Sequence, residues 1–248
     1  RASDNGAMTS PRRRTLAAEA GVEGIGLHRG ESARVRFLPA PEGTGIRFRR
    51  VDLEGSPEIP ADIDFVVATD RGTSLAKGEA RVDTVEHLLA AVVASGIDNL
   101  WIEIDGPEVP IGDGSFAPFH EVLSGAGVVE QDAPARVLEV ERVVTASTSK
   151  GASYVVTPAE GYTISATIDF DHPVVGRQFA SFPVEREVFG REIAGARTFG
   201  FLHEAEALKA RGLARGATLE NAVVLDERGL ASGELRFPDE FGRHKFGD

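Results

Sequence analysis

No cysteine occurs among the 248 residues. Disulfides and thiolate metal sites are therefore excluded, and nothing points to an oxidising compartment. Any metal must be held by His, Asp or Glu, the ligands of catalytic rather than closed structural zinc. Long apolar runs are also missing. None approaches the roughly 18 residues of a membrane-spanning helix, and no apolar stretch near the N-terminus reads as a signal peptide. Positive charge is scarce: 27 Lys and Arg stand against 39 Asp and Glu, a formal net charge of −12. Such a surface argues against broad nucleic-acid binding, which needs clustered basic residues. It leaves room for a small basic pocket that takes a phosphate. The expectation is a cytoplasmic protein with no transmembrane segment, monomeric by default.

What is present suits an ordinary globular chain, with 42% hydrophobic and 27% charged residues, and enough length for a real core. Residues 1–10 read as tag remnant and native start, with Met8 as initiator, and Arg12 to Arg14 as a solvated run; 1–14 are set aside as a disordered N-terminus. Two comparable halves follow, 15–128 and 136–248, joined by a polar linker at 129–135. The first half reads as strands at Ala33–Leu38, Gly45–Arg50 and Asp62–Val66, then a helix for which Asp83 and Thr84 offer caps and which Gly96 ends. A strand at Asn99–Asp105, a Gly/Pro-rich loop over Gly106–Gly114 and a helix over Ala117–Leu123 complete it. The second half reads as strands at Arg136–Val140, Ser153–Thr157, Tyr162–Phe170 and Gln178–Pro183. Helices follow at Glu185–Ile193 and Leu202–Arg211, then a strand at Ala222–Asp226 and a last helix opening near Pro238 and Asp239. Strand runs followed by helices in each half predict an α+β fold of two layered domains rather than alternating βαβ units.

Six histidines are present: His28, His87, His120, His172, His203 and His244. Taken singly, each suits a structural or surface role. Two contexts stand out. In His244-Lys-Phe-Gly-Asp248, an imidazole and a carboxylate sit at i and i+4, so a helix presents both on one face. In Thr84-Val-Glu-His87, adjacent helical residues point about 100° apart, so Glu86 and His87 divide the labour: His87 as a ligand, Glu86 beside the water as general base. Three protein ligands with one open position make a catalytic zinc site. Spacing alone supports a possible metallohydrolase and no more.

Six blocks then resemble a known family in order along the chain: Gly24-Ile-Gly-Leu-His28; Pro39 to Arg50 (PAPEGTGIRFRR); Thr84-Val-Glu-His-Leu88; Gly96-Ile-Asp-Asn99 with Pro107 to Ser115 (PEVPIGDGS); Ala196-Arg-Thr-Phe-Gly-Phe201; and Asp239-Glu-Phe-Gly-Arg-His-Lys245. They resemble the UDP-3-O-acyl-N-acetylglucosamine deacetylases, zinc enzymes of the committed step of lipid A synthesis in Gram-negative bacteria. The resemblance implies two similar α+β domains with the active site between them. It implies His87, His244 and Asp248 as the ligands of Zn2+ (Fe2+ being an alternative in vivo) and Glu86 as the base. It implies Thr198 as a hydrogen-bond donor to the oxyanion, and Phe199, Lys245 and His28 near a UDP-linked acylated sugar, with Lys245 facing the diphosphate or the sugar. Asp113 would orient a ligand from behind. His120, His172 and His203 read as non-catalytic.

Members of that family continue for several dozen residues beyond the His-Lys-x-x-Asp helix, into a tail that completes the second domain and carries a general-acid histidine. This sequence stops at Asp248, so the second domain reads as C-terminally incomplete, and Asp248 stands where fraying is expected. The alternative to an active deacetylase is an impaired relative that binds the UDP-lipid without turnover.

Overall fold

The computed structural model describes residues 11–149, 151–231 and 233–248; the readings of Met8 and of residues 1–10 lie outside it. The first half is built on a five-stranded sheet whose alternating sequences decide which face is inside. The strands, in chain order, include β1 (Arg12–Leu16), β2 (Ala20–Ile25), β3 (Ser32–Pro39), β4 (Ile46–Arg50), β5 (Glu58–Pro60), β6 (Val66–Ala68), β7 (Ser74–Lys77) and β8 (Ala80–Val82). Helix α1 (Glu86–Ala94), β9 (Leu100–Ile104), α2 (Ala117–Ala126) and β10 (Val128–Pro134) follow. The sheet order is β2-β3-β9-β4-β5, antiparallel except for β4 beside β9. In β3, Ala33, Val35 and Phe37 are buried while Arg34 and Arg36 point out; in β9, Leu100, Ile102 and Ile104 are buried while Glu103 points out. Period-two patterning thus puts one face in the core and one in water. Leu88, Ala91 and Val92 of α1 and Phe119 and Leu123 of α2 cover the inner face.

Helix α1 stops where its C-terminal motif says it must. Gly96 takes φ +66°, its N–H donates to Val93 O, and the Ile97 N–H reaches back to Val92 O. That is a Schellman arrangement, and only glycine enters it without strain.

Several expectations are corrected by the fold. The segment 129–134, read as linker, is β10, and it pairs antiparallel with β1, so Arg12 to Arg14 belong to a strand and not to a disordered terminus. Nothing local announces this, because the partners lie more than a hundred residues apart. The strand expected at Asp62–Val66 is a 3-10 turn over Ile63–Phe65: the Asp62 carboxylate accepts the Asp64 N–H, and Ile63 is 84% exposed. A side-chain to backbone bond of this kind favours a turn over a ladder. Asp83 and Thr84 do not cap α1, because Val85 is its N-cap residue and makes no side-chain cap bond.

In the second half come β11 (Val144–Ser147), β12 (Ser153–Val156), β13 (Thr163–Asp169), β14 (Arg177–Pro183), a short α3 (Arg186–Val188), β15 (Phe199–Phe201), α4 (Leu202–Ala210), β16 (Val223–Leu225) and α5 (Glu240–Gly247). The predicted strand at Arg136–Val140 is absent; Leu138 is 91% exposed there, and the segment pairs with no strand among the described residues. The expected helix over Glu185–Ile193 begins as α3 and widens into a π-turn over Phe189–Ile193. Beyond the predicted layers, β15, α4 and β16 form a parallel βαβ unit, which the α+β reading had set aside. Helix α5 packs on the β13–β14 hairpin. One apolar cluster joins Ala94 of α1, Phe116, Phe189, Ile193 and Phe246, so the two halves share a core beside the ends of α1 and α5.

Candidate metal centre

His87 is the second residue of α1, and His244 lies on α5 with Asp248 just past its end. The Asp248 N–H donates to His244 O at 3.0 Å, so the helical bond continues to that residue and i, i+4 places both side chains on one face. Asp248 Oδ1 lies 3.6 Å from His87 Nε2 and 3.4 Å from His244 Nε2. One ligand atom from each of the three falls within 4.8 Å of the others. The sequence-predicted trio is thus brought together from both halves of the chain.

The donor set passes a test for a metal. Both imidazoles are buried, and His244 Nε2 is a buried nitrogen without a hydrogen-bond partner. Its other nitrogen, Nδ1, faces Ala196 O at 3.1 Å. A carbonyl accepts only, so Nδ1 carries the proton and Nε2 presents a lone pair. An unsatisfied buried lone pair is costly unless something fills it. Charge agrees. Burial, with the neighbouring His244, pushes His87 down to about 4 from 6.5, and burial lowers His244 as well. Burial alone would raise Asp248, but His244, Lys245 and His87 together outweigh it and bring it to about 2. Two neutral imidazoles and an ionised carboxylate are the protonation states a divalent cation requires.

Each of the other predicted residues has its own partners. Glu86 turns its carboxylate to the Thr73 N–H, which donates to Oε2 at 2.8 Å. Lys245 Nζ donates to Asp248 Oδ2 at 2.7 Å and stands over the Phe199 ring at 5.6 Å. Phe199 also packs edge-on to Phe241 of α5. Thr198 is fixed by backbone bonds, its N–H to Gly114 O at 2.7 Å and its carbonyl accepting from Val223 N–H at 2.8 Å. His28 is tied to two backbone segments: Nε2 donates to Arg71 O at 3.0 Å, and Nδ1 accepts from Ala214 N–H at 3.4 Å. Asp113 is held by Ser115 and Arg236: its carboxylate accepts from the Ser115 hydroxyl and amide and pairs with Arg236 at 2.7 Å, holding the turn that presents Gly114 to Thr198.

Two supports escaped the sequence reading. The first is fully buried Glu240, whose carboxylate accepts from Arg197 N–H, Nε and Nη2 and from Arg236 N–H. It ties α5 to the segment just before β15, whose Ala196 carbonyl orients His244. The second is buried Glu108, which holds the turn before α1. Both lie inside the matched blocks; Glu108 stands out as a carboxylate in the apolar and small-residue stretch 107–112, whereas Glu240, in the charged run 239–245, carries no such signal. A cavity of about 340 Å³ opens beside the trio, lined by Glu86 and Asp248 together with Leu89, Val93, Ile164 and Phe189. Among the described residues, no helix is long and apolar enough to cross a membrane.

The family model for UDP-3-O-acyl N-acetylglycosamine deacetylase matches residues 13–248. The UDP-3-O-acyl-N-acetylglucosamine deacetylase of Myxococcus xanthus (strain DK1622) is 49% identical over 242 residues, covering 97% of this chain and 76% of the relative. The similarly named protein of Anaeromyxobacter sp. (strain Fw109-5) is 46% identical over 239 residues, 96% of this chain and 78% of its own length. That of Bdellovibrio bacteriovorus is 43% identical over 233 residues, 94% and 77% respectively.

Proposed function

The chain belongs to the UDP-3-O-acyl N-acetylglycosamine deacetylase family, and from that premise we propose that it hydrolyses the N-acetyl group of a UDP-3-O-acyl-N-acetylglucosamine, releasing acetate and a free 2-amine in lipid A biosynthesis. The observation that carries this reading is the convergence of His87, His244 and Asp248, with an unpartnered imidazole nitrogen among them. These three residues would hold the metal. A zinc ion in that donor set supplies Lewis acidity to the amide carbonyl and acidifies water, and ferrous iron suits the same donors.

The chain's own groups do the rest. Glu86 takes the proton of the attacking water. Its anchoring to the Thr73 amide keeps the carboxylate oriented while leaving lone pairs free. Thr198 donates its hydroxyl to the oxygen that gains charge, on a backbone pinned at both its N–H and its carbonyl. The proton removed from water balances the one the nitrogen needs when the C–N bond breaks. Lys245, already over Phe199, faces the sugar or diphosphate together with Phe199 and His28, and the apolar cavity takes the acyl chain. On this reading 15–128 and 136–248 are the two domains and the protein works as a cytoplasmic monomer without nucleic acid. An impaired relative that only binds is not favoured, since identity of 43–49% runs over 94–97% of the chain and the trio is intact.

The test is acetate release from the N-acetylated UDP-sugar alongside metal analysis. One metal per chain is expected, lost in His87→Ala and His244→Ala. Glu86→Gln should keep the metal and lose turnover by on the order of 10²–10⁴-fold. Wild-type turnover in Glu86→Gln, or full metal in His244→Ala, would sink the assignment.

A further inference from the structure

The turn that launches α1 holds an unusual residue. Thr84 has φ +59°, a left-handed conformation that β-branched residues avoid and that persists only where the surroundings over-determine it. Those surroundings are visible. On one side the Asp83 N–H donates to Pro107 O at 2.8 Å and the Val109 N–H to Asp83 O at 3.0 Å. On the other the Val85 N–H donates to Thr73 O at 3.2 Å. Between them the Thr84 hydroxyl donates to Glu108 Oε1 at 2.9 Å. Glu108 is 2% exposed, and its carboxylate also accepts the N–H of His28 and the N–H of Arg29, each at 2.8 Å. Gly26 makes room for it, since a Cβ there would overlap the carboxylate.

The two residues after Val85 are Glu86 and His87. Thr73 binds both the Val85 amide, through its carbonyl, and the Glu86 carboxylate, through its N–H. The angle at which the chain leaves Thr84 therefore sets where the Glu86 carboxylate stands. We propose that Glu108 and Thr84 form a positioning pair for the deacetylation: the buried carboxylate grips the Thr84 hydroxyl, fixes the left-handed turn, and through it aims Glu86. Neither is a catalytic residue. This rests on the functional reading above and goes beyond it by assigning the first-half carboxylate a task in turnover.

The experiment uses the metal-loaded enzyme, reads acetate release, kcat and KM, and measures bound zinc. Thr84→Val removes the hydroxyl and keeps the shape. It is expected to lower kcat on the order of 10- to 100-fold, as small misplacements of a reacting group do, with KM and zinc content near wild type. Thr84→Ser restores the hydroxyl and should recover most of that loss. In a Glu86→Gln background Thr84→Val should add no further loss, because the group it aims is gone. A Thr84→Val enzyme as fast as wild type overturns the proposal, as does a Thr84→Ser enzyme as slow as Thr84→Val, or a loss that adds to that of Glu86→Gln. If Thr84→Val does not fold, Glu108→Gln, which turns an amide NH2 against donors, takes its place in the same cycle: a loss of kcat that vanishes in the Glu86→Gln background supports the proposal, and wild-type kcat or an additive loss overturns it. Wild-type enzyme without acetate release overturns the functional reading and this inference with it; wild-type release with Thr84→Val unchanged overturns this inference alone.

Discussion

Replacing Arg197 by Met isolates the ion pair that anchors α5. Glu240 is fully buried, and three of its four hydrogen bonds come from Arg197: the backbone amide at 3.0 Å, Nε at 2.8 Å and Nη2 at 3.2 Å. The fourth is the Arg236 amide at 2.7 Å. Arg197→Met removes the two guanidinium bonds and the countercharge but leaves both amides. Stranding one member of a buried pair costs about 3–5 kcal/mol, and the surviving amides put this case near the lower figure. In a chain of this size about 3 kcal/mol corresponds to a fall in Tm of roughly 6–12 °C. Urea titration read by tryptophan fluorescence and circular dichroism measures it. Glu240→Gln added to Arg197→Met removes the stranded charge and should recover about 1–2 kcal/mol, although it leaves one amide poorly paired. A second readout follows from Ala196, the neighbour of Arg197, whose carbonyl fixes the His244 tautomer. Zinc affinity, measured by chelator competition, should fall by on the order of 10–100-fold in Arg197→Met. A loss below about 1 kcal/mol, or a loss untouched by neutralising Glu240, would refute the view that this pair holds α5 and its histidine in place.

Three other changes test separate parts of the molecule. Gly247→Ala should destabilise by about 1–3 kcal/mol and weaken metal binding, because a Cβ there overlaps the ring of buried Phe116, which packs against both His87 and His244; unchanged melting and zinc content would count against it. The metal-free protein should be most stable above about pH 6.5 and lose stability as pH falls towards 4, since the unfolded chain binds a proton at His87 that the fold resists down to about 4. The 2.5-unit difference, at about 1.36 kcal/mol per unit, makes this about 3 kcal/mol for His87 alone, with His244 acting in the same direction; a flat stability curve from pH 7 to 4.5 would contradict it. Val93→Phe, which narrows the apolar cavity, should raise KM for a long-acyl substrate more than for a short-acyl one, and equal effects on the two would remove the cavity as the acyl site.

The elements legible in the sequence are those whose burial is one-sided and whose ends are marked. Strands β3, β4 and β9 alternate cleanly, and α1 ends on a glycine. What was missed depended on partners far along the chain. Strand β10 is polar and contains a proline, as a linker would, and only its pairing with Arg12–Leu16 makes it a strand. Arg136–Val140 failed for the opposite reason: a run rich in β-branched and apolar residues that pairs with no strand among the described residues. Asp62 shows a third way to fail, a local side-chain bond that turns the backbone before any ladder forms.

The site divides along the same line. Residue spacing placed His244 and Asp248 on one helical face, and the fold does the same, but spacing could not bring in His87 from 157 residues away; block order did. Nor could it tell a ligand from its support. Glu240 and Glu108 are carboxylates like the proposed base, yet each is surrounded by donors from its own protein and has little capacity left for a substrate or metal. Glu86, by contrast, accepts one amide bond among the described contacts and lines the cavity. A carboxylate saturated by amides is committed to holding the backbone, whereas one left partly unsatisfied beside unpartnered imidazoles is available for chemistry. That difference in unsatisfied capacity, which exists only once the chain has folded, separates the residue expected to move a proton from the two that hold the backbone: Glu108 at the turn before α1 and Glu240 beside His244.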